Sequence, residues 1–98
     1  MLIKSMAQVF KALGDENRLK ILDLIAEHED MCACDILEKF NFTQPTLSHH
    51  IKLLNAANLV ECKKEGKWMH YSVNCETLEK VAEFMTALKA KCEENEAK

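Results

Sequence analysis

Two thiols, Cys32 and Cys34, stand two residues apart in the run Met31-Cys32-Ala33-Cys34-Asp35. On a regular helix, side chains two apart diverge by about 200° and cannot share one ion. They converge only where the backbone is extended or unwound, and this pair lies where a short helix is expected to begin. Thiolates at a helix N-terminus have lowered pKa values, and sulfur donors select soft ions over hard ones. The pair is therefore a candidate soft-ion site with lowered thiol pKa values. Three more cysteines, Cys62, Cys75 and Cys92, bring the total to an odd five. The first residues lack a basic stretch followed by an apolar one, so no secretory signal is read and the expected compartment is the cytoplasm. Disulfides rarely persist there, which leaves the thiols as ligands, reactive groups or packing. Cys62 on a strand and Cys92 on an apolar seam suit packing, and His28 suits a surface position closing a helix.

A second constellation is polar and basic. Thr43 and Pro45 suit the first turn of a helix, where a hydroxyl caps free N–H groups and proline lacks one. That helix would turn Leu47, Ile51 and Leu54 inward and present Gln44, Thr46, Ser48, His49 and Lys52 outward. Gln44 can pair with adenine, Thr46 and Ser48 can reach bases or phosphates, and His49 and Lys52 suit phosphates. His50 and Leu53 are expected to face inward or toward the following hairpin. Lys63, Lys64 and Lys67 surround Gly66 and would add affinity that is independent of sequence and sensitive to salt. The chain carries a net charge of −3, yet residues 43–71 hold four lysines against two glutamates. The basic stretch and the polar helix coincide.

The elements that must carry these groups follow from the hydrophobic period. The 98 residues suit one domain, 1–98, with 48% hydrophobic and 30% charged residues. No apolar run reaches the roughly 18–20 residues of a membrane span. Ile3, Met6, Phe10 and Leu13 mark a first amphipathic helix, broken at Gly14, with Asp15 as the cap of a second. Leu19, Ile21, Leu22, Leu24 and Ile25 make that second helix central. A short third helix spans about residues 34–40, and the Thr43-capped helix stops near Asn58. Residues 59–64 and 68–73 alternate like strands, with Gly66 supplying the positive φ of the turn. Trp68 and Tyr71 read as hairpin packing. A last helix over about 76–92 carries the seam Leu78, Val81, Met85, Leu88 and Cys92. The charged tail after it is expected to fray.

This order is a mainly α (α+β) winged helix-turn-helix with a two-stranded wing and flanking helices at both ends. The helix-turn-helix would occupy about residues 32–58, the wing about 59–73 and the C-terminal dimer helix about 76–92. The outer apolar stripes exceed what so small a core covers, and a second copy related by a two-fold axis would bury them.

Four motifs in this order carry a family resemblance: Leu13-Gly14-Asp15-Glu16-Asn17-Arg18-Leu19-Lys20-Ile21-Leu22, Cys32-Ala33-Cys34-Asp35-Ile36-Leu37, Gln44-Pro45-Thr46-Leu47-Ser48-His49-His50 and Gly66-Lys67-Trp68-Met69-His70-Tyr71. Across residues 5–73 the chain resembles the ArsR/SmtB metalloregulators, and within them the arsenical-resistance type. The resemblance implies a homodimeric repressor of operator double-stranded DNA that lets go when As(III) or Sb(III) binds Cys32 and Cys34. It implies no membrane, no small-molecule substrate and no required cofactor. A third cysteine found in some relatives is here Leu37, so the pair is first an open two-thiol site. Cys75, Cys92 (from either subunit), a small thiol or water are the candidates for the third position. Relatives that sense zinc, nickel or cobalt use Asp and His on the last helix, and residues 72–98 hold no His. Those sensing cadmium or lead add N-terminal cysteines, and residues 1–31 hold none. The alternative is a redox or reactive-sulfur switch on the same fold, with Cys75 or Cys92 as a distant disulfide partner. A thiol enzyme is disfavoured: no Cys-x5-Arg loop or glycine-rich cradle is present, and Arg18 is the only arginine.

Overall fold

The computed structural model describes residues 2–28 and 30–97; Met1, Glu29 and Lys98, the last residue of the charged tail, lie outside them. Helix α1 (Ile3–Leu13) buries Met6, Val9 and Ala12. Ile3 and Phe10, expected on the inward stripe, are 71% and 37% exposed. A step of three and four residues finds the apolar stripe but not which edge of it the core covers. Asp15 caps α2 (Glu16–Glu27), its carboxylate accepting from the Arg18 N–H at 3.1 Å. Arg18 in turn donates from Nε to the Ala12 carbonyl at 2.6 Å, satisfying an acceptor that the end of α1 leaves open. Ile21, Leu22 and Ile25 of α2 are buried, whereas Leu19 is half exposed.

Next comes an element with no counterpart in the sequence reading, the two-residue strand β1 (Met31–Cys32). It leads directly into α3 (Ala33–Lys39), which starts and ends one residue earlier than expected. Phe40 and Phe42 stack at 4.8 Å in the turn beyond it. Helix α4 (Gln44–Ala56) is capped by Thr43, with Pro45 in the first turn, and buries Leu47, His50, Ile51 and Leu54. At its end Asn58 takes the left-handed conformation, φ 59°, and Leu59 donates its N–H back to the Leu54 carbonyl at 3.0 Å. That bond is the helix stop.

Strands β2 (Val60–Glu65) and β3 (Trp68–Val73) pair antiparallel around the two-residue turn Gly66-Lys67. Gly66 sits first in the turn at φ 65°, where a Cβ would be strained. β1 adds to the other side of β3, so the sheet order is β1-β3-β2 and the expected two-stranded wing gains a third strand. Across it Cys32 faces His70 and Met31 faces Tyr71.

Helix α5 (Cys75–Glu96) begins at an Asn74 cap that accepts from the Glu76 and Thr77 N–H groups. It is helical through Glu96, where fraying was expected. Leu78 and Val81 pack on the core, but Met85 and Leu88 are 51% and 44% exposed. The molecule measures 58 × 25 × 24 Å, and α5, about 33 Å of helix, accounts for much of the length. The core lies between α1, α2, α3, α4 and the sheet, built on Ile21, Ile25, Ile36, Leu54, Leu59 and Val60. Among the described residues no helix is long and apolar enough to cross a membrane.

Candidate thiol site and nucleic-acid interface

Cys32 is the last residue of β1 and the N-cap of α3, with φ −75° and ψ 148°. Cys34 lies inside the first turn. One residue of extended backbone removes the divergence that a helix would impose, and the two Sγ atoms stand 3.0 Å apart. Two sulfurs sharing one ion with bonds near the 2.3 Å of zinc–thiolate stand roughly 3.3–3.8 Å apart. The pair, at 3.0 Å, thus needs to open by only about 0.3–0.8 Å to hold one ion. Cys34 is exposed and Cys32 half-buried, so an ion can reach both.

The ionisation of Cys34 runs opposite to the expectation. Its thiol is pushed above the ordinary value, chiefly by its hydrogen bond with Cys32, then by burial and by the charges of Cys32 and Asp35. A neighbouring sulfur at contact distance outweighs the N-terminus of a seven-residue helix. Burial likewise raises Cys62, although its side chain is exposed on β2 and fills no core position. Cys75 is the first residue of α5, five positions past the His70 that faces Cys32. Cys92, in the last turns of the same helix, is exposed and contacts Glu96 Oε1 at 3.7 Å. Among the described residues, Cys32 and Cys34 are the only cysteines that the structure brings together.

On α4, Gln44, Thr46, Ser48, His49 and Lys52 are all exposed, while His50 points inward against Phe42. Thr43 Oγ1 accepts from the Thr46 N–H at 3.3 Å and donates to Thr46 Oγ1 at 3.0 Å, so the Thr46 hydroxyl is already oriented. Lys63, Lys64 and Lys67 are exposed on the wing, and Lys63 is partly neutralised by Glu65 at 3.1 Å. A cleft runs between α3, α4 and the wing tip, lined by Cys34, Leu37, Gln44, Ser48, Lys67 and Trp68 among others. One thiol and two groups of the polar helix therefore border the same space. Trp68, expected to pack within the hairpin, is 54% exposed at the rim of that cleft. Its place next to Lys67 at the turn is the signal that sequence reasoning passed over.

Comparison with known proteins bears on the whole arrangement. Residues 15–61 match the family described as "Bacterial regulatory protein, arsR family". An arsenical resistance operon repressor of Staphylococcus xylosus is 47% identical over 79 residues, covering 81% of this chain and 75% of that one. The solved structure of an ArsR-like transcriptional regulator from Rhodococcus sp. RHA1 superposes with a TM-score of 0.85 at 28% identity, over 96% of this chain and 88% of that one. A homodimeric winged helix-turn-helix DNA-binding domain from Mycobacterium bovis gives a TM-score of 0.73 at 26% identity, over 89% and 81%. In sequence and in fold the chain belongs to the ArsR family, and it is a winged helix-turn-helix transcriptional regulator rather than an enzyme.

Proposed function

We propose that this protein is a cytoplasmic homodimeric repressor that holds operator DNA through α4 and the wing and releases it when As(III) or Sb(III) bridges Cys32 and Cys34. The observation that carries the reading is the 3.0 Å approach of the two Sγ atoms at the junction of β1 and α3. Trivalent arsenic takes three ligands in a pyramid; two come from this pair, and water or a small thiol completes the set. Gln44, Thr46 and Ser48 read or position, while His49, Lys52, Lys63, Lys64 and Lys67 hold the phosphate backbone.

The coupling is mechanical. Cys32 ends a strand and Cys34 begins a helix, so fixing the distance between them fixes how α3 starts. α3 and α4 follow each other across a short turn and line one cleft with Cys34, so a shift at the first turn of α3 moves the reading helix relative to the groove. A coupling of about 1–3 kcal/mol, or 5–150-fold, is typical of such switches. Reciprocity then requires bound operator to weaken arsenite binding by the same factor. The likeness to the Staphylococcus repressor supports the inducer. The Mycobacterium domain, and the uncovered apolar face of α1 and α5, support the dimer.

The test is binding to a duplex selected from a random-sequence pool, for the wild type and for Cys32→Ser/Cys34→Ser, with and without arsenite. The wild type should be released and the double variant should stay bound. Release of both by arsenite overturns the sensor assignment. Release of the wild type by peroxide or persulfide but not arsenite moves the thiols to the redox reading.

A further inference from the structure

On the sheet, beside the thiol pair but sharing no residue with it, three ligand-type side chains from three segments converge. Asp30 precedes β1, Glu65 ends β2 and His70 lies in β3, and one donor atom from each lies within 4.8 Å of the others. His70 Nδ1 is 3.2 Å from Asp30 Oδ1. The angle there is not that of a hydrogen bond, and the Nδ1 atom, shut off from water, has no hydrogen-bond partner among the described residues. A nitrogen in that position is costly unless something else takes its lone pair or its proton.

We propose that Asp30, Glu65 and His70 form a binding site for a first-row divalent cation of the Zn²⁺ class, separate from the Cys32/Cys34 pair. The donor set is one imidazole and two carboxylates, which suits Zn²⁺, Co²⁺ or Mn²⁺ and not a thiophilic metalloid. Around an ion with bonds of about 2.0–2.2 Å, tetrahedral donors stand about 3.4 Å apart. The Asp30–His70 pair at 3.2 Å already meets that spacing, and the other donor separations, none above 4.8 Å, must close by up to about 1.4 Å. Asp30 and Glu65 are 55% and 49% exposed and free to rotate, and water has access to the remaining coordination position. Lys63 Nζ, 3.1 Å from Glu65 Oε1, is the competitor that the ion must share with or displace. Bound there, the cation ties the segment entering β1 to both strands of the hairpin, two residues ahead of Cys32.

The experiment uses the full chain carrying Cys32→Ser/Cys34→Ser, so that the thiol pair takes no part. Zn²⁺ is titrated by calorimetry into this chain and into versions that add His70→Gln or Asp30→Asn, each checked for native helix content. One equivalent of Zn²⁺ per chain is expected. Loss of a second-shell partner alone weakens metal sites by about 10–100-fold, so either added substitution should cost at least about tenfold. Co²⁺ in the same site should show ligand-field bands with no sulfur-to-metal charge transfer. Absence of binding, an affinity in both added variants unchanged from that of the Cys32→Ser/Cys34→Ser chain, or a sulfur charge-transfer band from Cys62, Cys75 or Cys92 overturns the proposal.

Discussion

A thiol that shares its hydrogen with a neighbouring sulfur parts with it reluctantly, and Cys34 is in that position. Its raised pKa leaves less thiolate at neutral pH than an ordinary cysteine has. Alkylation of Cys34 by iodoacetamide should therefore follow a pH profile displaced upward from that of the same residue in the urea-unfolded chain. Peptide mass spectrometry across pH reads this directly, and a profile at or below the unfolded one would contradict it. Asp15 shows the opposite shift: the Arg18 N–H holds its carboxyl below the ordinary value of 3.8. The stabilisation is complete above that value and is lost as pH falls through the lower folded one. Asp15→Asn keeps a cap without the charge, so its melting temperature should differ from the wild type at neutral pH and converge with it in strong acid. At the proposed DNA surface, Gln44→Ala should cost about 1–3 kcal/mol of discrimination at one base pair. Lys64→Ala should instead weaken every sequence alike and reduce the salt dependence by about one ion. Binding isotherms at several salt concentrations separate the two.

Among the elements, α4 depends most on a single side chain at its start. Thr43 both receives the Thr46 N–H and orients the Thr46 hydroxyl. Thr43→Ala should cost about 1 kcal/mol, lowering Tm by about 4–8 °C in a domain of this size. α4 was legible in the sequence because its signals are local: a capping hydroxyl, a proline in the first turn and Asn58 at the stop. The hairpin was legible for the same reason, through alternation around Gly66. β1 was not, because two residues carry no period and the strand exists only through pairing with β3, some forty residues away. Its absence from the reading misdirected the chemistry as well. With Cys32 taken as a residue at the helix start, the helix dipole was expected to govern the thiols, whereas the distance between two sulfurs governs Cys34. The convergence itself was foreseeable, since the spacing of Cys32 and Cys34 demanded extended backbone between them. The cluster at Asp30, Glu65 and His70 had no linear signature, because the sheet register alone assembles it.

At the scale of the whole molecule, apolar surface is left over where α1 meets α5. Phe10 touches Phe84 at 6.2 Å yet stays partly open, and Ile3, Met85 and Leu88 are more open still. Each leucine or methionine fully buried contributes about 1.5–3 kcal/mol, and in a two-fold dimer each contact counts twice. Leu88→Glu should accordingly raise the dimer dissociation constant by at least about tenfold, read by sedimentation at several concentrations, and operator affinity should fall with it. Unchanged sedimentation would place the interface elsewhere. The short strand before α3 has one more consequence at this scale. Because Cys32 pairs with His70 in the sheet as well as capping α3, a ligand on its sulfur would, in the proposed repressor, pull on the wing and on the reading helix at once. Cleavage of bound DNA by hydroxyl radicals should then reopen beneath the hairpin at the same inducer dose as beneath the helix, and the complex should come apart without a half-attached stage.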